Sequence, residues 1–286
     1  LKNLTRFRDW LPNGFNKFMT NLKIFCVTDK ELDFLSDSEY GIGWVGKEIP
    51  PKQYISCNKD KNIFSKEKHY SELTFHYWYW KNKLDLNDKN WLGFCQKRRY
   101  WIKKNSIGKS INKTNINQHI LTNAPEEWNE YDAIICEPIY VNKVKKIKML
   151  KRGFRSLLQQ PEIFFNENKQ TLLFHFDMHH GFGNLKKAIR LVNPEDRDEF
   201  FNYVNYSTSY NPHIMFIAKP SIANKWFEAV FSWLFKCEEL FGFENLKGYD
   251  TQRLYAYLAE RYLSFWFNKY TKTKTWPWTL IDYNRI

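Results

Sequence analysis

The sequence contains no run near the ~18 uninterrupted apolar residues that a membrane-spanning helix needs. Its opening, LKNLTRFRDW, lacks the apolar core of a secretory signal peptide. From these absences we expect a soluble protein, at most peripheral on the inner face of a membrane. The chain begins at Leu1 rather than Met, so we expect the natural N-terminus to lie upstream. Cysteine is sparse: Cys26, Cys57, Cys95, Cys136 and Cys237 are odd in number, far apart and never in C-x-x-C spacing. That pattern argues against a disulfide framework or a zinc site and fits a reducing, cytoplasmic setting. No internal repeat is present. Acid is scarce beside base, with 31 Asp+Glu against 44 Lys+Arg and a formal charge of +13. The imbalance favours polyanions, phosphorylated ligands or an anionic membrane surface as partners.

What is present is aromatic. Phe, Trp and Tyr make up 19% of the 286 residues, which excludes a disordered chain despite the many Lys and Asn. The length allows one large domain or two small ones. We expect a single α/β domain over residues 1–286, with about 22–145 binding a nucleotide and about 146–286 forming an acceptor-binding, helical half.

The densest stretch is KHYSELTFHYWYWKN (68–82) followed by WLGFCQKRRYW (91–101). It sets an acid, two histidines and two adjacent arginines among Tyr and Trp, as a site for a phosphorylated, ring-bearing ligand would. Ser71 is placed to cap a helix from Glu72, with Leu73, Tyr77, Trp80 and Leu84 on one apolar stripe and Glu72, His76 and Tyr79 on another face. LKIFCVT (22–28) reads as a buried strand ending at Asp29-Lys30, and Trp91 to Phe94 as a strand ending at Gln96-Lys97-Arg98-Arg99. DAIICEPIYV (132–141) and HIMFIAK (213–219) read as further strands. Residues 33–63 read as loop around GIGWVG (41–46), which matches neither dinucleotide-binding nor P-loop spacing. Residues 103–130 read as loop or small helices. Helices are expected from Asn193-Pro194 to about Tyr206, over Pro220 to Leu240, and over about 249–268. Alternating strands and helices imply a largely parallel sheet, in which ligands gather at the carboxyl ends of the strands. Thr28-Asp29, Gln96 to Arg99 and the residues after Val141 should therefore converge.

These segments, in their order, resemble a bacterial family of capsule and exopolysaccharide glycosyltransferases known as domain of unknown function 4422. The resemblance rests on KIFCVTDK (23–30), YSELTFHYWYWKN (70–82), WLGFCQKRRYW (91–101), YDAIIC (131–136), His179-His180, NPHIMFIAK (211–219) and RLYAYLAERYLSFW (253–266). It implies a GT-A-like, Rossmann-type fold and transfer of a sugar from a nucleoside diphosphate, with UDP-galactofuranose or UDP-galactose as plausible donors. The family's run His-Tyr-Arg-Arg-Tyr-Phe stands here as Gln96-Lys97-Arg98-Arg99-Tyr100-Trp101, and its usual Thr-His-Lys as Thr28-Asp29-Lys30. We expect this protein to differ from its relatives at Gln96-Lys97.

Sugar transfer requires charge stabilisation on a leaving diphosphate and deprotonation of an acceptor hydroxyl. The metal-binding triplet Asp-x-Asp occurs only as Asp196-Arg197-Asp198, in a helix first turn where acids are favoured by the dipole alone. No cofactor is expected and metal-independent activity is predicted, with Mn or Mg left open. Arg98 and Arg99 offer fixed bidentate donors, with Lys97 beside them; alternation along a strand lets one or two of the three face ligand, and Arg98 is preferred. Glu72 and His76, four apart, could hold a ribose or sugar hydroxyl, or Glu72 could serve only the helix start. His179 and His180, at an expected strand-to-helix passage, and Asp177 are candidate bases. Glu260 is a base, a sugar-hydroxyl acceptor, or half of a structural pair with Arg253 or Arg261, the pair being favoured. The basic stretch Lys143 to Arg155 is either a solvated face or a dock for a lipid-linked acceptor on an anionic membrane, and Trp276-Pro277-Trp278 would suit the same interface. The rival class is a basic, aromatic-rich nucleic-acid-binding protein, for which no recognition signature is present.

Overall fold

The computed structural model describes residues 21–282; the polar lead-in 1–20 and the last four residues lie outside the described part. Apolar β-branched runs supply the central strands. β1 (Leu22–Thr28) pairs in parallel with β2 (Gly41–Trp44), and β2 with β3 (Ile55–Ser56). The GIGW part of GIGWVG is thus a strand, not a loop, and its glycines answer to packing. A Cβ at Gly41 would stand 2.6 Å from the Phe25 ring, and one at Gly43 2.6 Å from the Phe75 ring.

Two short helices follow, α1 (Glu67–Tyr70) and α2 (Leu73–Asn82). Ser71 does not cap α2 with its side chain; it sits at φ +52° in the kink between the two, and Glu72 occupies the cap position. Leu73 to Trp78 are all buried, because α2 lies between the sheet and a second helix layer. No polar face survives there, which is why the face expected for His76 does not exist.

β4 (Trp91–Gln96) lies parallel to β1 and turns through Lys97-Arg98 into β5 (Arg99–Trp101). Residues 103–130 hold only short turns of helix, including α3 (Ile116–His119). The run 132–141 breaks at Pro138 into β6 (Ala133–Cys136) and β7 (Ile139–Tyr140). After it come α4 (Lys146–Arg152), α5 (Phe154–Gln159), α6 (Leu172–His180), α7 (Asn184–Ile189) and α8 (Pro194–Tyr206). His179 and His180 therefore stand in the last turn of a helix that Gly181 ends at φ +98°, not at the end of a strand.

β8 (Ser209–Tyr210) pairs with β7, and β9 (Phe216–Ala218) enters the main sheet antiparallel between β4 and β6. The amphipathic α9 (Pro220–Phe241) buries Trp226, Val230, Trp233 and Cys237. α10 (Tyr249–Gln252) leads to α11 (Leu254–Tyr270), which buries Leu254, Leu258, Tyr262 and Phe265. β10 (Thr273–Trp276) then pairs in parallel with β6, and β11 (Trp278–Leu280) pairs with β5.

The main sheet has nine strands in the path β10-β6-β9-β4-β1-β2-β3, with β5 and β11 attached at β4. Among the described residues it is largely parallel, with helices on its faces and a helical C-terminal part, the α/β architecture expected. One face carries α2, α9 and α11 over the larger core; the other carries the Trp91, Trp101, Trp128 and Trp276 cluster. All five cysteines are buried and unbridged. Trp276 is buried in β10 and donates to Ile102 O at 2.9 Å, so the Trp-Pro-Trp segment belongs to the sheet rather than to a membrane interface.

Candidate functional site

The parallel strands end together along one edge, and polar residues collect there. At the end of β1 the Thr28 hydroxyl accepts from Lys30 N at 2.9 Å and donates to Lys30 O at 2.6 Å. Buried and used in this way, Thr28 shapes a turn and presents Asp29. The Lys97 ammonium pairs with the Asp29 carboxylate, and Lys97 N donates to Val27 O at 3.0 Å. The β4–β5 turn is thereby tied to the end of β1, as the carboxyl-end rule predicts. A cleft of about 560 Å³ opens beside it, lined by Asp29, Lys30, Trp44, Gly46, Lys47 and Glu67 among others, a volume within the range of small-ligand sites.

One step along the edge, Gln96 Nε2 donates to Glu72, and Arg99 Nη1 donates to Gln96 Oε1 at 3.2 Å. Glu72 and Arg99 thus share Gln96 as a common partner, and Arg98 does not join them. The two arginines diverge because Arg98 lies in the hairpin turn while Arg99 begins β5. Arg98 lies 3.9 Å from Asp282 with its side chain more than a third exposed, whereas Arg99, half-buried, bonds Gln96 and its charge reaches Cys136 and His213. His76 does not join them. It is 1% exposed, its ring 4.3 Å from that of Phe94, and burial pulls its pKa down to about 3. It is a core residue.

Beyond Arg99 stands a network that the sequence signals only in part. His213, at φ +64°, precedes β9; its amide donates to Glu260 Oε1 at 2.5 Å and its Nδ1 lies 3.5 Å from the same oxygen. Arg261 Nη1 donates to Glu260 Oε2 at 2.7 Å, and the Arg261 guanidinium lies 3.9 Å over the Tyr210 ring. Burial acts to raise the Glu260 carboxyl, but Arg261 and His213 outweigh it and hold it well below the usual range. Glu260 is therefore half of a pair with Arg261, while Arg253 lies against Tyr249. The Arg99 and Glu72 charges both reach His213, so this network adjoins the first. Asn211 Nδ2 donates to Cys136 O at 2.6 Å and fixes the turn that carries His213 to the end of β6. It is Glu137, not the residues after Val141, that follows β6 at this edge.

Arg261 Nη2 also donates to His175 Nδ1 at 3.2 Å, and the His175 ring lies 4.8 Å from that of His179. Arg152 donates to His179 Nδ1 at 3.1 Å and to Asp250 at 2.9 Å. Burial, then Lys148 and Arg152, lowers the His179 pKa to about 4; burial, then Arg261, lowers that of His180 to about 3. Both rings are neutral near pH 7. With Nδ1 accepting from Arg152, neutral His179 carries its proton on Nε2 and can donate, not accept, there. His180 is the opposite tautomer, since its Nδ1 faces the Asp250 carbonyl at 2.8 Å, but its ring is buried in a 3.7 Å stack with Tyr257. Asp177 accepts from Gly183 N at 3.0 Å and so faces α7; burial raises its pKa to about 6. It stands 200° around α6 from His175 and His179 by the ~100° helical step, away from the belt. Asp196 accepts from Tyr262 at 2.9 Å and Tyr270 at 2.6 Å and pairs with Lys269 at 2.9 Å, while Asp198 points to solvent. That triplet is a structural acid followed by a surface one, not a metal clamp.

A polar belt thus runs from Asp29 through Lys97, Glu72, Gln96, Arg99, His213, Glu260 and Arg261 to His175, His179 and Arg152. His175 and His213 are the members missed from sequence. His213 had a signal, a His after Asn-Pro at the mouth of an apolar run; His175 had its i, i+4 spacing to His179.

No curated protein matches the chain. Among solved structures it is similar to the apo structure of the bifunctional glycosyltransferase WbbM, with a TM-score of 0.67 and 18% identity over 91% of this chain. That likeness concerns the fold, and this chain spans 45% of that one. The mannosyltransferase Ktr4p from S. cerevisiae matches over 76% of this chain and 62% of its own at 10% identity, but its TM-score of 0.24 is too low to inform the fold. The model of a family described as a domain of unknown function, DUF4422, matches residues 23–272, and the chain belongs to that family.

Proposed function

We propose that the protein is a glycosyltransferase that moves a sugar from a nucleoside diphosphate, UDP by preference, to a surface polysaccharide or lipid-linked glycan. The observation that carries this reading is the placement of Arg99 between the Glu72–Gln96 pair and the Glu260–Arg261 network, on a belt that reaches the cleft at the ends of β1 and β2 through Lys97 and Asp29. The cleft suits a nucleoside, Arg99 and Lys97 suit the diphosphate, and Glu72 suits a sugar hydroxyl. A guanidinium held beside the leaving phosphate stabilises the charge that builds there, the largest single contribution in such reactions. His179, as an Nε2–H donor, suits an acceptor or phosphate oxygen. The likeness to a bifunctional glycosyltransferase and the family resemblance both support the class, and the resemblance favours a galactofuranosyl or galactosyl donor. The setting is cytoplasmic, with the acceptor presented at an anionic membrane face.

Phosphate stabilisation here falls to arginine rather than to a metal, so activity should persist with EDTA. Loss of activity in EDTA with recovery on adding manganese would overturn that assignment. The reading itself is tested by thermal shift with UDP and UDP-sugars against binding to single-stranded oligonucleotides. Oligonucleotide binding without a UDP-sugar shift would overturn it. The aromatics of 70–82 that a nucleic-acid reading would use for base stacking are largely buried, which favours the transferase.

A further inference from the structure

Residues 142–160 contain seven basic side chains, Lys143, Lys145, Lys146, Lys148, Lys151, Arg152 and Arg155, and no acid. Charge alone would describe a solvated face. The structure adds an apolar component to it. α4 and α5 run almost as one helix through Gly153, whose amide donates to Met149 O at 2.7 Å and whose carbonyl accepts from Leu157 N at 2.9 Å. The residue must be small, since a Cβ there would stand 2.9 Å from both Met149 O and the Phe174 ring.

This helix is apolar on two sides. Met149 and Leu157 turn inward onto Phe174 and Met178. Ile147, Leu150, Phe154 and Leu158, spaced by three, four and four residues, form an outer stripe at 70%, 53%, 56% and 67% exposure, and Phe165 nearby is 81% exposed. Solvated helices keep such a stripe inside; an exposed one with basic flanks is the pattern of a helix lying in a lipid headgroup layer. Cationic flanks select an anionic surface; no acid within 142–160 opposes it, and Asp250 from outside pairs only with Arg152.

We infer that the outer face of α4 and α5 docks on an anionic lipid bilayer, with Ile147, Leu150, Phe154 and Leu158 inserted among the headgroups and the flanking Lys and Arg on lipid phosphates. The face adjoins the site, since Arg152 on α4 donates to His179. Docking therefore brings the His179 end of the belt to the bilayer, where a lipid-linked acceptor would be presented. That functional sense rests on the glycosyltransferase reading; the docking does not, and is measured without sugars.

The experiment is co-sedimentation with phosphatidylcholine vesicles, with and without phosphatidylglycerol, on the parent and on a Leu150→Ser/Phe154→Ser/Leu158→Ser variant. The parent should bind the anionic vesicles at least about tenfold more tightly than the neutral ones, with binding weakened by salt. The triple variant should lose about tenfold or more of that affinity, whereas Leu86→Ser, removing an exposed apolar residue outside this stripe and outside the cleft, should lose none. A UDP-sugar thermal shift retained by the triple variant shows that it is folded and that the donor site stands apart from the docking face. Three outcomes would overturn the proposal: equal binding to both vesicle types, undiminished binding by the triple variant, or a parent whose stripe instead mediates self-association or oligonucleotide binding. Vesicle binding in a protein that ignores every nucleotide-sugar would leave the docking face standing and remove the transferase reading.

Discussion

One carboxylate oxygen of Glu260 holds both the main chain and the ring of His213, accepting the amide at 2.5 Å with Nδ1 at 3.5 Å. A non-glycine residue at φ +64° is strained, and such strain persists only where neighbours enforce it. Glu260 is that enforcement, and its second oxygen neutralises the buried Arg261.

Glu260→Ala should therefore destabilise the protein by about 3–5 kcal/mol, because it strands a buried guanidinium. Glu260→Gln, which can still accept from the His213 amide, should cost less. The depressed Glu260 carboxyl contributes stability above its unfolded pKa near 4.5, which is lost as pH falls below that value. Urea denaturation of both variants at neutral pH measures the order; equal stabilities would refute it.

Arg99, rather than the Arg98 preferred from sequence, should carry the phosphate. Arg99→Ala should lower sugar transfer by roughly 10²–10³, the loss typical of removing one fixed charge-stabilising donor. Arg98→Ala, at the hairpin turn beside Asp282, should lower it by less than about tenfold. Steady-state rates on the two variants decide between them, and the reverse order would restore Arg98.

His76 makes the fold acid-sensitive. Its folded pKa of about 3 lies below the unfolded 6.5, so the unfolded chain takes up a proton that the folded one refuses. Stability is thus full above pH 6.5 and falls as pH drops, by about 2 kcal/mol at pH 5 from this residue. His76→Leu should remove that share and cost little at pH 7, since Nδ1 has no hydrogen-bond partner to lose. Melting curves at pH 7 and pH 5 test this; an unchanged pH slope in the variant would show that His76 is not responsible.

Gly43→Ala should destabilise by about 1–3 kcal/mol, the usual penalty for overpacking, because the new methyl meets the Phe75 ring. Pairing it with Phe75→Leu should recover part of the loss. A neutral Gly43→Ala would mean that β2 and α2 separate more easily than their packing suggests.

The sequence made the continuous apolar elements readable. β1, β4, α8 and α9 stand where their runs of apolar or periodic residues place them, because burial on one or both faces leaves that trace. It misled wherever a residue's local meaning depended on a partner far along the chain. Gly41 and Gly43 read as loop because the rings that require them, Phe25 and Phe75, are distant or on another element. Glu72 and His76 read as one face because helical spacing says so, but α9 covers one of them and not the other. α6 lacked a helical signal because Phe174 to His179 alternates apolar and polar residues, the two-residue period of a strand rather than the 3.6 of a helix. The meeting of Glu72, Arg99, His213 and Glu260 was only partly legible, since antiparallel β9 brings His213 to the edge by a route that no local pattern announces.

The sheet continues past the part of the chain that the family model matches. β10 and β11, residues 273–280, cover the edges of β6 and β5, and Trp276 at the end of β10 is buried. A fragment expressed to the family boundary at 272 would bare two strand edges and empty a tryptophan-sized hole in the core, inviting edge-to-edge aggregation. The workable unit for expression and crystallisation extends at least to Ile281, whose amide closes the β4–β5 turn by donating to Arg98 O at 2.8 Å.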